Sequence, residues 1–376
     1  MLLRSIARAG ICAAFALSCQ GKVRQGGSEG AADGDATPRP TRRMPAVRCT
    51  RSSNPEATLP DGLRRELSGH AERIERALRG GTGLPVWNML AASVRDESRK
   101  EVFLRNLDTL AARIRRAGPG KVEEIVHLEV APQVQGRMQV SCPGPDGTWT
   151  VRTRVDGADL AIVYTVHEGG PLPPRVVHRL RRGDDGWEVL GLESTAHRFR
   201  GADATAHRAR AEAALAAGRP IEALLEAGIA QVLAMRGRGV VTPESDAVAR
   251  MLADGKLERG AVAELARTLG LPAERIVSVG LFNTEFDLAP RVRYVTAVDD
   301  VRDEAAVRKE ATELARKLTA KVPGLTEAFD TVLFEALPER PTDSSAPIEA
   351  ARVAVQIGPP AQGRPIEENS AAAPSP

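Results

Sequence analysis

Six histidines are the residues of this chain best suited to move protons near neutral pH. They are His70, His127, His167, His178, His197 and His207. His167 and His178 lie on adjacent predicted strands joined by the turn sequence GGPLPP, so their side chains can approach each other across a hairpin. With His127 or Glu168 nearby, one of them would serve as a general base. The sequence favours the alternative, which is a structural role for the histidines. The register of the two strands is not known from the sequence, and a slip of one residue would turn one of the two side chains to the other face of the sheet.

Other reactive patterns are missing or have a structural explanation. No GxSxG, P-loop or GxGxxG motif lies between a predicted strand and a predicted helix, and the histidines form neither HExxH nor HxH. The acidic pair Asp184–Asp185 precedes Gly186 and Trp187, which is typical of a tight hairpin turn rather than of an acid–base pair. The acids from Asp299 to Glu304 suit a helix N-terminus, and no neighbouring residues complete a cation shell. We therefore expect no cofactor or metal ion, and the sequence identifies no catalytic residue.

The first residues, MLLRSIARAGICAAFALSCQGK, have the pattern of an export signal. Arg4 and Arg8 give a positive start, and the apolar run Ala9–Leu17 is too short to span a bilayer as a helix. The stretch from Ala16 to Cys19 resembles the lipobox of bacterial lipoproteins, which implies that Cys19 is lipidated and becomes the new N-terminus. Gln20 resembles the residue that sorts such proteins to the outer membrane. The alternative is an ordinary secretory signal cleaved nearby.

Export changes what the remaining cysteines can do. If Cys12 leaves with the leader and Cys19 carries the lipid, only Cys49 and Cys142 stay in the folded part. Two thiols in an oxidising compartment favour a disulfide, and two buried free thiols are the alternative. The sequence therefore predicts a protein of the bacterial cell envelope, anchored by lipid and facing the periplasm.

Composition argues against a nucleic-acid partner. The 376 residues carry a formal net charge of +3, and the 49 Asp and Glu are spread among the 52 Lys and Arg, so no basic stripe forms. The segment from Ala261 to Ile276 superficially resembles a helix-turn-helix, but two antiparallel helices explain it equally well. The expected partners are the membrane, through the lipid, and an envelope protein or a small ligand.

Pattern and composition divide the chain into six segments. They are a signal peptide (1–18), a disordered linker (19–59), an α+β domain (60–196), a helical segment (197–272), a small ββαβ unit (273–337) and a disordered tail (338–376). The apolar patch Val353–Ile357 is the one candidate strand in the tail. The predicted fold class is α+β, with helices packed on a curved antiparallel sheet.

The α+β domain begins with helices and continues with six strand-like runs. In WTVRTRV the apolar residues alternate, whereas LAIVYTV, Leu160–Val166, is apolar throughout, as expected of a central strand buried on both faces. The order of elements and the final run from Asp185 to Leu192 resemble the nuclear-transport-factor-2-like fold over about residues 60–194. That resemblance implies a conical pocket, and the family includes both enzymes and non-catalytic binding modules. The alternative is a generic helix-plus-sheet domain.

The helical segment contains a hairpin from Ala209 to Met235. It resembles one tetratricopeptide unit with Gly218, Ala223 and Ala230 at the small positions, but no second copy follows, so a plain helical hairpin is the preferred interpretation. Three functions are carried forward. The first is a non-catalytic binding or interaction protein, the second is a hydrolase or isomerase with a histidine base, and the third is a scaffold for envelope assembly that uses this hairpin.

Overall fold

A computed structural model describes residues 46–81, 83–253, 255–283, 287–322, 324–341 and 350–358. The predicted signal peptide and the lipidation site Cys19 lie outside the described residues. Among the residues described, no helix is long and apolar enough to cross a membrane.

The described strands are numbered in chain order. They are β1 (Val47–Arg51), β2 (Lys121–Val130), β3 (Gln135–Cys142), β4 (Trp149–Asp156), β5 (Leu160–Val166), β6 (Pro174–Gly183), β7 (Gly186–Ala196), β8 (Val240–Val241), β9 (Ile276–Asn283), β10 (Leu288–Val295), β11 (Thr331–Leu337) and β12 (Ala351–Gln356).

The helices follow the same convention. They are α1 (Asp61–Arg79), α2 (Leu84–Asn88), α3 (Lys100–Ala117), α4 (Ala204–Ala216), α5 (Pro220–Ala234), α6 (Pro243–Ala253), α7 (Lys256–Leu269), α8 (Glu304–Lys321) and α9 (Gly324–Ala328). Helices and largely antiparallel sheets make up the protein, which confirms the predicted α+β class.

The first sheet has the order β1-β2-β5-β6-β7, and all its neighbouring strands are antiparallel. Its centre is β5, whose first six residues are buried. Leu67, Ile74 and Leu78 repeat at helical spacing on α1 and pack with residues of α3 against one face of this sheet. The Asp184–Asp185 pair forms the two-residue loop between β6 and β7, where Gly183 pairs with Gly186.

Two of the six strand-like runs, β3 and β4, do not belong to the first sheet. β4 pairs with β3 on one side and with β8 on the other, in a separate three-stranded sheet. The buried side chains of Val140, Trp149 and Val151 pack against Val126 and Tyr164 on the second face of the first sheet. The first sheet is therefore covered by helices on one face and by a hairpin on the other, because both of its faces are apolar.

A disulfide joins Cys49 on β1 to Cys142 on β3. These are the two cysteines for which the sequence predicts a disulfide. They are 93 residues apart in the chain, and closing a loop of this size stabilises a fold by about 4–5 kcal/mol in the chain-entropy account.

The middle helices and the last sheet share one core. The last sheet has the order β12-β11-β10-β9, with β10 and β11 parallel and the other pairs antiparallel. Apolar residues of α4, α5 and α7 belong to the same buried cluster as those of α8 and this sheet. The proposed boundary at residues 272/273 therefore does not separate two hydrophobic cores.

Two segments expected to be disordered contain strands. β1 lies in the predicted linker and pairs with β2, and β12 lies in the predicted tail and pairs with β11. Both are short strands at the edge of a sheet, and an edge strand needs few apolar residues because it is only partly covered. The patch Val353–Ile357 in the tail supplies most of β12.

Candidate functional site

Two of the candidate histidines, His167 and His178, meet at one carboxylate. Glu75 Oε1 lies 3.4 Å from His167 Nε2 and 3.7 Å from His178 Nε2, and all three side chains are at most 4% exposed. Glu75 comes from α1, His178 from β6, and His167 follows directly after β5. We call these three residues the core acid–histidine cluster.

The surrounding groups fix the histidine rings. His167 Nδ1 lies 2.9 Å from the carbonyl oxygen of Gly118, and an N–H there donates to it. Thr165 Oγ1 lies 3.2 Å from His178 Nε2. A Cβ on Gly120 would lie 2.6 Å from Glu75 Oε2, so only glycine fits at this position without a shift of the carboxylate.

The charges in the cluster favour an ion pair. Burial by itself would raise the pKa of Glu75, but interactions with His167 and His178 outweigh it and lower the pKa to about 2. Burial would lower the pKa of His167, but Glu75 and the Gly118 carbonyl outweigh it and raise the pKa. His70 lies on the same side of α1, where burial, Arg73 and His178 lower its pKa to about 4.

This arrangement is poorly suited to general base catalysis. A carboxylate with a pKa of about 2 is a weak base. Both ring nitrogens of His167 already face protein oxygens, Nδ1 the Gly118 carbonyl and Nε2 the Glu75 carboxylate. A cavity of about 300 Å³ beside the cluster is lined by Glu75, Gly120 and Thr165 but not by either histidine. The cluster is better explained as a buried, charged contact between α1 and the sheet.

The remaining predicted partners do not join the cluster. His127 Nε2 lies 3.5 Å from Asp159 Oδ2, and Glu168 is exposed and binds Arg198. Of the four residues in the general-base hypothesis, only His167 and His178 therefore lie together. Sequence reasoning missed Glu75, although Leu67, Ala71, Ile74 and Leu78 mark the buried face of α1 on which it lies.

The structure also contains a cleft that the sequence analysis did not identify, between the α4–α5 hairpin and the segment around α9. We call it the apolar cleft, and its volume is about 410 Å³. Its apolar lining comprises Phe199, Leu225, Ile229, Val322, Leu325 and Phe329. His207 and Glu226 contribute its buried polar pair, with 2.6 Å between His207 Nδ1 and Glu226 Oε2.

A second cleft, the polar cleft, has a volume of about 480 Å³ and lies where the first sheet meets the helical segment. Buried Arg175 forms part of its wall and binds Glu123, with 2.9 Å between Arg175 Nε and Glu123 Oε2. Arg175 Nη1 also faces the carbonyl oxygens of Ala196, Leu233 and Met235 at 3.3–3.5 Å. Arg175 therefore connects β6 to the C-terminal end of α5, where carbonyl groups carry partial negative charge.

The described residues contain no group of three His, Cys, Asp or Glu side chains placed to hold a metal ion. Comparisons with protein-family models, with curated proteins and with solved structures found no match.

Proposed function

We propose that the protein is a lipid-anchored protein of the bacterial cell envelope that binds a small, largely apolar ligand without transforming it. The observation that carries the binding role is the apolar cleft. Its volume of about 410 Å³ is in the range of small-molecule sites. It combines an apolar lining with charged or titratable side chains, which are Arg200, His207, Arg210, Arg219, Glu222, Glu226 and Glu327.

The chemistry of the lining supports binding over catalysis. Phe199, Leu225 and Phe329 are at least 96% buried and form the apolar wall of the cleft. The polar pair His207–Glu226 is held together, and the side chain of Glu226 is 19% exposed. Such a site can orient a ligand through one polar contact while apolar area supplies most of the affinity.

The cleft can be blocked without disturbing the core. Ala213 lines it and is exposed on α4, so Ala213→Trp should fill it at small cost in stability. Ala209 is also exposed, lies one turn earlier on the same helix, and does not line the cleft, which makes Ala209→Trp the matched control.

The test is a fluorescence titration with the neutral apolar probe N-phenyl-1-naphthylamine. We expect the wild-type protein and Ala209→Trp to bind it alike and Ala213→Trp to bind it at least about tenfold more weakly. Equal binding by all three proteins would contradict the assignment of the ligand to this cleft.

The anchor has its own test. Mass spectrometry of the N-terminal peptide from membrane-purified protein should find Cys19 as the first residue with a lipid attached. A peptide that continues upstream of Cys19, without lipid, would remove the lipoprotein proposal but leave the ligand site unaffected.

The convergence of His167 and His178 on Glu75 favours a second candidate, a hydrolase or isomerase that uses a histidine base. Diethyl pyrocarbonate separates the two functions, because a base that substrate can reach is also open to this reagent. We expect His167 and His178 to stay unmodified until the protein unfolds. Rapid modification of both in the native protein would favour catalysis.

Two other proposals stand beside these. Three helices over one face of an antiparallel sheet support a nuclear-transport-factor-2-like arrangement.

The scaffold role would use the α4–α5 hairpin, but a cleft of about 410 Å³ suits a small molecule better than a protein surface.

A further inference from the structure

The cavity of about 300 Å³ beside the core acid–histidine cluster contains a carboxylate that the fold uses only on one side. We call this space the acidic cavity. Glu75 lines it from α1 and is 3% exposed. His167 and His178 both face Glu75 Oε1, and this oxygen is fully enclosed by the protein. The other oxygen, Oε2, is the one left for a group inside the cavity.

Glu75 Oε2 points into the acidic cavity. A Cβ on Gly120, which also lines the cavity, would lie 2.6 Å from this oxygen, so the glycine leaves the approach to it open. Oε2 has no hydrogen-bond partner among the residues that the structure describes. Burial alone would raise the pKa of Glu75, but the two histidines lower it to about 2, so the group is charged at neutral pH. A charged acceptor that is largely out of water and not hydrogen-bonded favours an incoming donor.

The rest of the lining adds acceptors and a small apolar wall. Ser68, Glu72 and Glu75 follow each other at intervals of four and three residues and so share one face of α1. The side chains of Ser68 and Glu72 form no hydrogen bond or ion pair within the described chain. Thr165 Oγ1 is engaged with His178 Nε2, so the methyl group of Thr165 faces the open side of Gly120, and Val122 extends this wall.

Two positive groups limit the negative charge of the acidic cavity. His167 offsets part of the charge of Glu75 from the Oε1 side. Lys121 lines the cavity, but it is exposed and forms no ion pair in the part of the chain that the structure describes. Its long stem lets the ammonium group stay in water. The groups that remain for an occupant are therefore Glu75 Oε2, Glu72 and the Ser68 hydroxyl, all of which can accept hydrogen bonds.

The number of these acceptors favours an ammonium group over a metal ion. An ammonium group has three N–H donors, which matches three acceptor side chains, whereas an alcohol has one donor. Calcium takes about six to eight oxygen ligands. No group of three His, Cys, Asp or Glu side chains among the described residues is placed to hold a metal.

We propose that the acidic cavity binds a small primary amine in its protonated form. The ammonium group donates to Glu75 Oε2, Glu72 and Ser68, and a short alkyl chain packs against Val122 and the methyl group of Thr165. The acidic cavity shares no lining residue with the apolar cleft. The two sites are independent, and failure of this proposal would leave the apolar ligand untouched.

The exposed side of the cavity offers variants that leave the core cluster intact. Ser68 is half-buried on α1, and Ser68→Leu fills the cavity and removes one acceptor. Glu72→Gln removes the second carboxylate. Glu101→Gln removes the same charge from the exposed start of α3, away from the cavity, and is the matched control. Glu75→Gln tests the main acceptor, and circular dichroism checks that each variant is folded.

Isothermal titration calorimetry at neutral pH would compare propylamine with 1-propanol, propionate and calcium chloride, and we expect propylamine to bind most tightly. Its affinity should fall at least about tenfold in Ser68→Leu and in folded Glu75→Gln, and about threefold in Glu72→Gln. It should be kept in Glu101→Gln and in Ala213→Trp, in which the apolar cleft is filled.

Four results would overturn the proposal. The first is no binding of propylamine at millimolar concentration, and the second is equal or tighter binding of propanol, propionate or calcium. The third is equal affinity for propylamine in the wild type and in folded Ser68→Leu and Glu72→Gln. The fourth is loss of propylamine binding in Ala213→Trp, which would assign the amine to the apolar cleft.

Discussion

The protein contains two buried carboxylate–histidine contacts with similar composition and different surroundings. Glu75 lies between α1 and the first sheet, where its side chain is 4% exposed and two histidines at 0% exposure enclose it. Glu226 lies between α4 and α5, pairs with one histidine, and is 19% exposed at the wall of the apolar cleft. Of the first contact, only Glu75 lines the cavity of about 300 Å³ beside it, and neither histidine does. Both members of the second contact line the apolar cleft.

Loss of the Glu75 carboxylate should lower the stability of the protein more than the other changes considered below. Glu75→Gln leaves two buried histidines without their acidic partner, and we expect it to lower the free energy of unfolding by about 3–5 kcal/mol. Urea denaturation measures this, and Glu72→Gln on the exposed side of α1 should cost no more than about 0.5 kcal/mol. Similar values for the two variants would mean that the cluster contributes little.

The difference in stability between the wild type and Glu75→Gln should depend on pH. The lowered pKa of Glu75 adds stability that is present above pH 4.5 and lost as pH falls toward 2. The raised pKa of His167 adds stability that is present below pH 6.5 and lost as pH rises through the folded-state pKa.

The stability difference between wild type and Glu75→Gln should therefore be greatest between pH 4.5 and 6.5 and decline on both sides. His70, whose lowered pKa costs stability as pH falls from 6.5 toward 4, titrates in both proteins and contributes mainly a shared background. Urea denaturation at a series of pH values measures the difference. A difference that does not vary with pH would contradict the ion pair.

Loss of the Glu226 carboxylate should lower the stability of the protein less than loss of the Glu75 carboxylate. Glu226→Gln keeps the shape of the side chain and lets water solvate the site, so we expect a loss of only about 1 kcal/mol in stability. The same variant should weaken binding of the apolar probe less than Ala213→Trp does, because apolar area supplies most of the affinity. A stability loss as large as that of Glu75→Gln would remove the distinction between the two contacts.

Local patterns in the sequence predict much of the first sheet. The continuous apolar run of β5 identifies the central strand, and Asp184–Asp185 before Gly186 identifies the β6–β7 turn, because both signals come from consecutive residues. The departure of β3 and β4 into a second sheet has no such signal. Their alternating pattern fits either arrangement, and only the apolar second face of the first sheet decides which one forms.

The sites depend on contacts that are distant in the chain. His167 and His178 share a hairpin, so their meeting can be expected, but Glu75 joins them from a helix about 90 residues earlier in the chain. The pairing of His207 with Glu226 and the apolar cleft behind it require α9, which lies about 100 residues beyond α5. Periodicity reports which face of a helix is buried, but not which distant element covers that face.

We propose that the apolar cleft holds a small molecule in the native protein. Its most direct test is mass spectrometry of small molecules extracted from the wild-type protein and from Ala213→Trp and Ala209→Trp, each purified from membranes under the same conditions. We expect a compound that is enriched with the wild type and Ala209→Trp and depleted with Ala213→Trp. Identical extracts from all three proteins would contradict it.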